Sequence, residues 1–108
     1  MASTLDYIEF VCTQLEKLSS RIIIPKKMFG DYMIYIDGKP IILVCDNICY
    51  VKMVNEIKDL MADAEIGTPY PDAKEHYILD IEHFELCIPV IRILQAVIPI
   101  PKSRKKQR

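Results

Sequence analysis

Apolar residues recur at helical spacing from the start of the chain. Leu5, Ile8, Val11, Cys12, Leu15 and Leu18 form one stripe, and Glu9, Gln14, Glu16 and Lys17 fill the other side. This spacing predicts an amphipathic helix running to about Ser19. Ser3 and Asp6 stand at capping-box spacing, which makes Ser3 the expected cap. From Arg21 to Met53 the period shortens to that of strands. Ile22-Ile23-Ile24 is β-branched, and Pro25 marks an edge or a bend. Met28-Phe29-Gly30-Asp31 reads as a turn or bulge. Tyr32 to Ile36 and Lys39 to Cys45 are strands about Asp37-Gly38, a pair suited to a turn with two positive φ angles. Asp46-Asn47 makes a second turn before Ile48 to Met53. Four strands on links this short form an antiparallel meander.

Helical spacing returns at Val54, Ile57, Leu60, Met61 and Ala64, with Asn55 as cap, and predicts a second helix. Gly67 and Thr68-Pro69-Tyr70-Pro71-Asp72 make a loop. Lys74 to Asp80 alternates as a fifth strand, with His76, Ile78 and Asp80 on one face and Tyr77, Leu79 and Ile81 on the other. A last helix covers Glu82 to Ile98, with Phe84, Cys87, Ile88, Ile91 and Leu94 inward. Pro89 either falls in its first turn or kinks it. The expected fold is α+β. Its two layers are a mostly antiparallel sheet of about five strands and helices packed on one face, in the order α-β4-α-β-α. The expected domain is residues 1–101, with a tail at 102–108.

A chain of 108 residues makes one such domain, and its 51% hydrophobic and 27% charged residues exclude a disordered or fibrous chain. No apolar run nears the roughly 18 residues of a membrane helix. Charge changes the picture more. The net charge of −1 divides into five positive charges in the last seven residues and a net −6 in the first 101. An acidic body does not draw in phosphate backbones through its overall field. The tail reads first as a solubilising terminus. Its alternative role is phosphate contact by Lys102, Arg104, Lys105, Lys106 and Arg108, with Lys26 and Lys27. The first residues lack the basic and apolar regions of a secretion signal, so a cytoplasmic location and four reduced cysteines are expected.

Candidate chemistry is sparse. Gly30, Gly38 and Gly67 are too scattered for a phosphate loop. Cys45 and Cys49 lack paired zinc spacing, and a two-residue turn would send them to opposite faces. His83 and Cys87 are one helical turn apart. His76 and His83 cannot be set against a thiol from sequence, so no nucleophile–base pair can be named. The expectation is a protein without catalytic residues, metal or cofactor. Aromatic residues say more. Tyr32 and Ile34 share one strand face, and Met33 and Tyr35 share the other. Helices cover one side. The other is either half wet or open to a partner, with Tyr32, Tyr35 and Tyr50 as the candidate surface for a homodimer or another protein.

The run Lys26-Lys27-Met28-Phe29-Gly30-Asp31-Tyr32 is followed by Tyr35-Ile36-Asp37-Gly38-Lys39-Pro40 and Val44-Cys45-Asp46-Asn47. Together with Pro69-Tyr70 and Ala73-Lys74-Glu75-His76-Tyr77-Ile78-Leu79-Asp80, it resembles the N-terminal domain of the TfoX/Sxy family over nearly the whole chain. The resemblance implies an α+β fold of the secretion-chaperone-like class. It also implies a regulator of competence or gene expression that acts with transcription proteins, and not an enzyme. Phe29 would be a core anchor, Gly30 a point of backbone freedom and Asp37-Gly38 the hairpin. Full-length members carry a further helical domain, so this chain is expected to be the N-terminal type standing alone.

Overall fold

A computed structural model describes residues 3–18, 21–28 and 31–101 of the chain. In order, they form helix α1 (Leu5–Leu18), strands β1 (Ile23–Met28), β2 (Asp31–Ile36), β3 (Lys39–Cys45) and β4 (Ile48–Lys52), a 3-10 turn (Asn55–Ile57), strands β5 (Ile66–Gly67) and β6 (His76–Ile78), and helix α2 (Phe84–Val97). The strands make one antiparallel sheet in the order β1-β2-β3-β4-β6-β5. The α+β expectation holds, with six strands where about five were expected. Phe29, Gly30, Ser19 and the basic tail lie outside the described residues.

The meander forms as its turn residues require. Asp37 and Gly38 have φ of 52° and 84°, and Asp46 and Asn47 have 53° and 58°. Both connections are two-residue hairpins of the kind whose twist matches that of the strands. Between β2 and β3 the register shifts by one residue. Ile34 pairs with Ile42 and Tyr35 with Pro40, so Ile41 is the extra residue of a bulge. Pro40, without an N–H, sits where the ladder is already broken.

One face of this sheet carries both helices. Ile8, Val11 and Leu15 of α1 join Cys87, Val90 and Leu94 of α2 in a single cluster with Ile34, Ile36, Ile42, Val44, Cys49 and Val51. Lys39 Nζ donates to the Gln95 carbonyl and ties β3 to the last turn of α2. Pro89 lies in the second turn of α2, inside the helix. Its missing N–H leaves the Glu85 carbonyl without its usual partner one turn on.

Four local expectations are corrected. Thr4 caps α1 in place of Ser3: its Oγ1 accepts from Tyr7 N at 3.2 Å. Ser3 is drawn away because its Oγ donates to Asp31 and accepts from Asn47 N, each at 3.1 Å. The helix expected from Val54 to Ala64 is a 3-10 turn followed by further turns. Ile57 N bonds Val54 O, Lys58 N bonds Asn55 O and Ala64 N bonds Met61 O, all at the tighter i+3 spacing. Ile57 and Met61 are buried as expected, but Leu60 is exposed. Two buried positions are too narrow a stripe to carry weak helix formers such as Asn55, Asp59 and Asp63. Ile66–Gly67, placed in a loop by composition, forms a short outer strand against Tyr77 and His76. Phe84 and Ile88 point outward on α2, and Val90 takes the buried place.

Ile42 is fully buried at the centre of this packing. Ile42→Ala should cost about 3 kcal/mol of unfolding free energy. Ile24→Ala, at an exposed position on β1, should cost under about 1 kcal/mol. Equilibrium urea unfolding of the two variants checks the contrast.

Candidate interaction surface on the open sheet face

Register divides the strand residues into two sets. Tyr32, Ile34 and Ile36 of β2 line up with Ile42 and Val44 of β3, Cys49 and Val51 of β4 and Tyr77 of β6, and all pack in or against the helix-covered core. The opposite set faces away from the helices. Its middle row runs Met33, Leu43, Tyr50 and Ile78 across four strands. On one side of that row stand Met28, Asp31, Cys45 and Ile48, and on the other Ile24, Tyr35, Lys52 and His76. An antiparallel sheet with one face in water usually places polar residues outward. Here the outward positions are mainly apolar.

Two of them are already covered. Cys45 and Tyr50 are 4% and 7% exposed, yet neither belongs to the core cluster beneath the helices. The nearness of β5 explains part of this: a Cβ added at Gly67 would stand in ordinary contact, 3.5 Å from the Tyr50 ring and 3.4 Å from Ile78. His76 meets the same ring edge-on at 6.3 Å between centroids. Tyr70, from the loop after β5, reaches over the face. It helps enclose a cavity of about 380 Å³ with Met28, Asp31, Met33, Leu43 and Cys45.

Asp31 is held in place. Its Oδ1 accepts from Ser3 N at 3.3 Å, Ser3 Oγ at 3.1 Å and Asp46 N at 3.1 Å. Lys26 Nζ lies 5.0 Å from the centroid of the Tyr35 ring, a cation–π contact that keeps its stem against the face. The face thus holds one engaged carboxylate and one engaged ammonium around an apolar centre.

The three tyrosines singled out from sequence are not brought together. Tyr35 and Tyr50 share the open face, whereas Tyr32 is on the helix side against the core. Lys26 and Lys27, as neighbours on β1, point to opposite faces. Lys102, Arg104, Lys105, Lys106 and Arg108 lie outside the described residues. Sequence reasoning missed Leu43, Ile48 and Ile78 as members of the face. The signal was present in the alternation of each strand, but it needs the strand register to be read as one surface.

Cys45 pairs with Ile48 across the two-residue turn, so Cys45 and Cys49 stand on opposite faces. Among the described residues, no three His, Cys, Asp or Glu are placed to hold a metal ion. Burial pushes the Cys45 thiol up to about 11, helped by Asp31 and Asp46. Cys49 is likewise pushed up by burial to about 11. It lies 3.5 Å from the Tyr7 hydroxyl, whose own ionisation is raised by burial. Cys87 is pushed up by burial to about 12, and its Sγ donates to the Asp80 carbonyl at 3.2 Å. Burial raises Cys12 too. A larger groove, of about 480 Å³, includes Asp63, Glu65, Asp80 and His83 but no nucleophile. His76 is elsewhere, its Nδ1 paired with the Lys74 carbonyl at 2.8 Å. Asp80 Oδ1 accepts from Glu82 N at 3.1 Å, closing the turn ahead of α2.

No helix of the described residues is long and apolar enough to cross a membrane. A protein of Spirochaeta aurantia described as "Uncharacterized 12.7 kDa protein in trpE 5'region" is 33% identical over 108 residues, covering 97% of this chain and 91% of that protein. No family model and no solved structure matches.

With these thiols held protonated, a thiolate-specific reagent at pH 7.5 should label the native chain slowly and the denatured chain at all four cysteines. Labelling of native protein should climb as pH rises toward 11, the value reached by Cys45 and Cys49. Thiols whose pKa is raised on folding favour the folded state below their unfolded value. Stability should therefore decline as pH moves from about 8.5 upward. Fast labelling of native protein at neutral pH would contradict this picture.

Proposed function

The chain belongs to one family with the 12.7 kDa protein of Spirochaeta aurantia, and from that premise we propose that it is a non-enzymatic regulatory domain acting by protein contact. One observation carries the reading. A sheet whose helix-covered side already holds a complete core presents a second, mainly apolar side across β1, β2, β3, β4 and β6. Contiguous apolar surface of this kind marks interaction sites. The regulatory part rests on the resemblance to the N-terminal domain of the TfoX/Sxy regulators, carried by residues 26–47 and 73–80. It places the protein in a bacterial cytoplasm among transcription proteins. Protonated, buried thiols support a role without catalysis, since a thiol nucleophile acts as thiolate.

Direct nucleic-acid binding is the competing reading. Lys26 rests on Tyr35 and Lys27 points to the other face, so the pair forms no common phosphate-binding patch. Any such role falls to the tail.

A photo-crosslinking residue in place of Tyr35 should trap protein in host cells, while one in place of exposed Glu9 on α1 should not. Duplex DNA should either fail to bind or bind only through the tail. Fluorescence anisotropy over a salt series, comparing the intact chain with one ended after Pro101, reads this directly. Sequence-preferring binding by the shortened chain, or no protein adduct at Tyr35, would overturn the reading.

A further inference from the structure

We propose that the cavity under Tyr70 binds a small organic amine, its apolar body against Met28, Met33 and Leu43 and its ammonium on the Asp31 carboxylate. This goes beyond the protein-contact reading and does not depend on it. The lining sets this cavity apart. The groove of about 480 Å³ carries Asp63, Glu65, Asp80 and His83 on its walls. The cavity of about 380 Å³ holds one carboxylate among two methionines, a leucine, a thiol and a tyrosine ring. Small-molecule sites have this make-up: a mainly apolar hollow of about 300–1,000 Å³ with a few fixed polar groups. At the ~30 Å³ that a water molecule takes in the liquid, the space admits about a dozen such groups.

The sheet makes the floor and the loop after β5 makes the roof. Met28 and Asp31 are cross-strand partners, Cys45 follows in their row, and Met33 pairs with Leu43 in the next. Tyr70 is fixed above them by its neighbours. Pro69 and Pro71 restrict the backbone on either side, Asp72 turns with φ of 70°, and Ala73 N donates to the Tyr70 carbonyl at 3.1 Å. A roof this constrained loses little freedom when a guest arrives, which favours binding. Tyr70 and Met28 are 55% and 37% exposed, so the cavity is reached from solvent on their side.

Charge selects the occupant. Ser3 N, Ser3 Oγ and Asp46 N all donate to Asp31 Oδ1, which fixes the carboxylate and leaves Oδ2 for a further donor. Among the described residues Asp31 forms no ion pair. Asp46, in the adjoining turn, adds a second negative charge. Lys26 stands in the row of Met33, but its ammonium lies over the Tyr35 ring, 5.0 Å from the centroid and further along β2 from Asp31. A bound anion would meet like charge here. A neutral guest would strip water from the carboxylate and return nothing. A primary ammonium supplies the opposite charge and three N–H donors.

The probe is 2-phenylethylamine, protonated at pH 7 as a lysine side chain is. Its anionic counterpart is 3-phenylpropionate, with the same apolar body. Methyl NMR of the full chain, labelled at its five methionines, reads the site. Met28 and Met33 should shift, and the core residue Met61 should not. The amine should bind with a Kd of about 0.05–1 mM, and the carboxylate about 10-fold or more weakly. Asp31→Asn keeps an oxygen for the three donors and removes the charge, so it should bring the two probes within about twofold of each other. Leu43→Trp should fill the cavity and weaken the amine by about 10-fold or more. Tyr70→Ala, which opens the roof at an exposed position, should also weaken it and stands in if Leu43→Trp loses its helical circular dichroism. Equal binding of the two probes by the native chain, an unchanged preference in Asp31→Asn, shifts confined to other methionines, or no shift up to about 10 mM amine would each overturn the proposal. None of these outcomes bears on a protein adduct at Tyr35, so the protein-contact reading stands or falls separately.

Discussion

The sheet depends on how the Asp46-Asn47 turn is held. Both residues have positive φ, which allows the two-residue link between β3 and β4. A slip of one residue there would exchange every core residue of one strand for its open-face neighbour. The turn is also where α1 is attached. Asn47 Oδ1 accepts from Thr4 N at 2.9 Å, Asn47 N donates to Ser3 Oγ, and Asp46 N donates to Asp31. One short segment thus sets the strand register, the start of α1 and the orientation of the carboxylate on the open face. Its side-chain bonds span more than 40 residues of sequence at Ser3 and Thr4.

This explains which features were legible in sequence. Periodicity and turn chemistry are local, so α1, the meander and α2 could be read, including the inward set Tyr77, Leu79 and Ile81. Features decided by long-range competition could not. Ser3 looked like the cap of α1, but Asp31 and Asn47 compete for its hydroxyl and Thr4 takes the role. The Val54–Ala64 segment had helical spacing, but only Ile57 and Met61 are deeply buried there, and apart from the single i+4 bond from Met61 N to Ile57 O the backbone keeps to tighter turns. The candidate surface was half visible. Opposite faces for Tyr32 and Tyr35 follow from alternation alone, whereas grouping Leu43, Tyr50 and Ile78 requires the register of three more strands.

Charge is as unevenly placed as apolar surface. Residues 56–85 hold nine Asp and Glu against two Lys, more than the whole deficit of the body. That acidity surrounds the groove at Asp63, Glu65 and Asp80, which meets the apolar row at its Ile78 end and not at Met33 and Leu43. The result is a molecule that repels polyanions over much of its surface and keeps one face nearly neutral. Long-range electrostatics then discourage non-specific contacts without opposing a close apolar one.

The two faces share isoleucine and tyrosine but differ in the rest of their apolar residues. Under the helices the strands supply Ile34, Ile36, Ile42, Val44 and Val51, branched at Cβ and stiff at χ1. The open face mixes Met28, Met33, Leu43, Tyr35 and Tyr50, none of them β-branched, with Ile24, Ile48 and Ile78, which are. Stiff side chains suit a surface that packs once and stays packed, because little rotamer freedom is lost. Methionine suits a surface that must be wetted when alone and filled when covered, since its unbranched thioether adapts to either neighbour. Tyrosine adds apolar area with a hydroxyl that tolerates both states. Hydrophobicity alone does not distinguish the sides of this sheet. What the open face adds to its isoleucines is Met28, Met33 and Leu43, unbranched at Cβ, on the side that the helices do not cover.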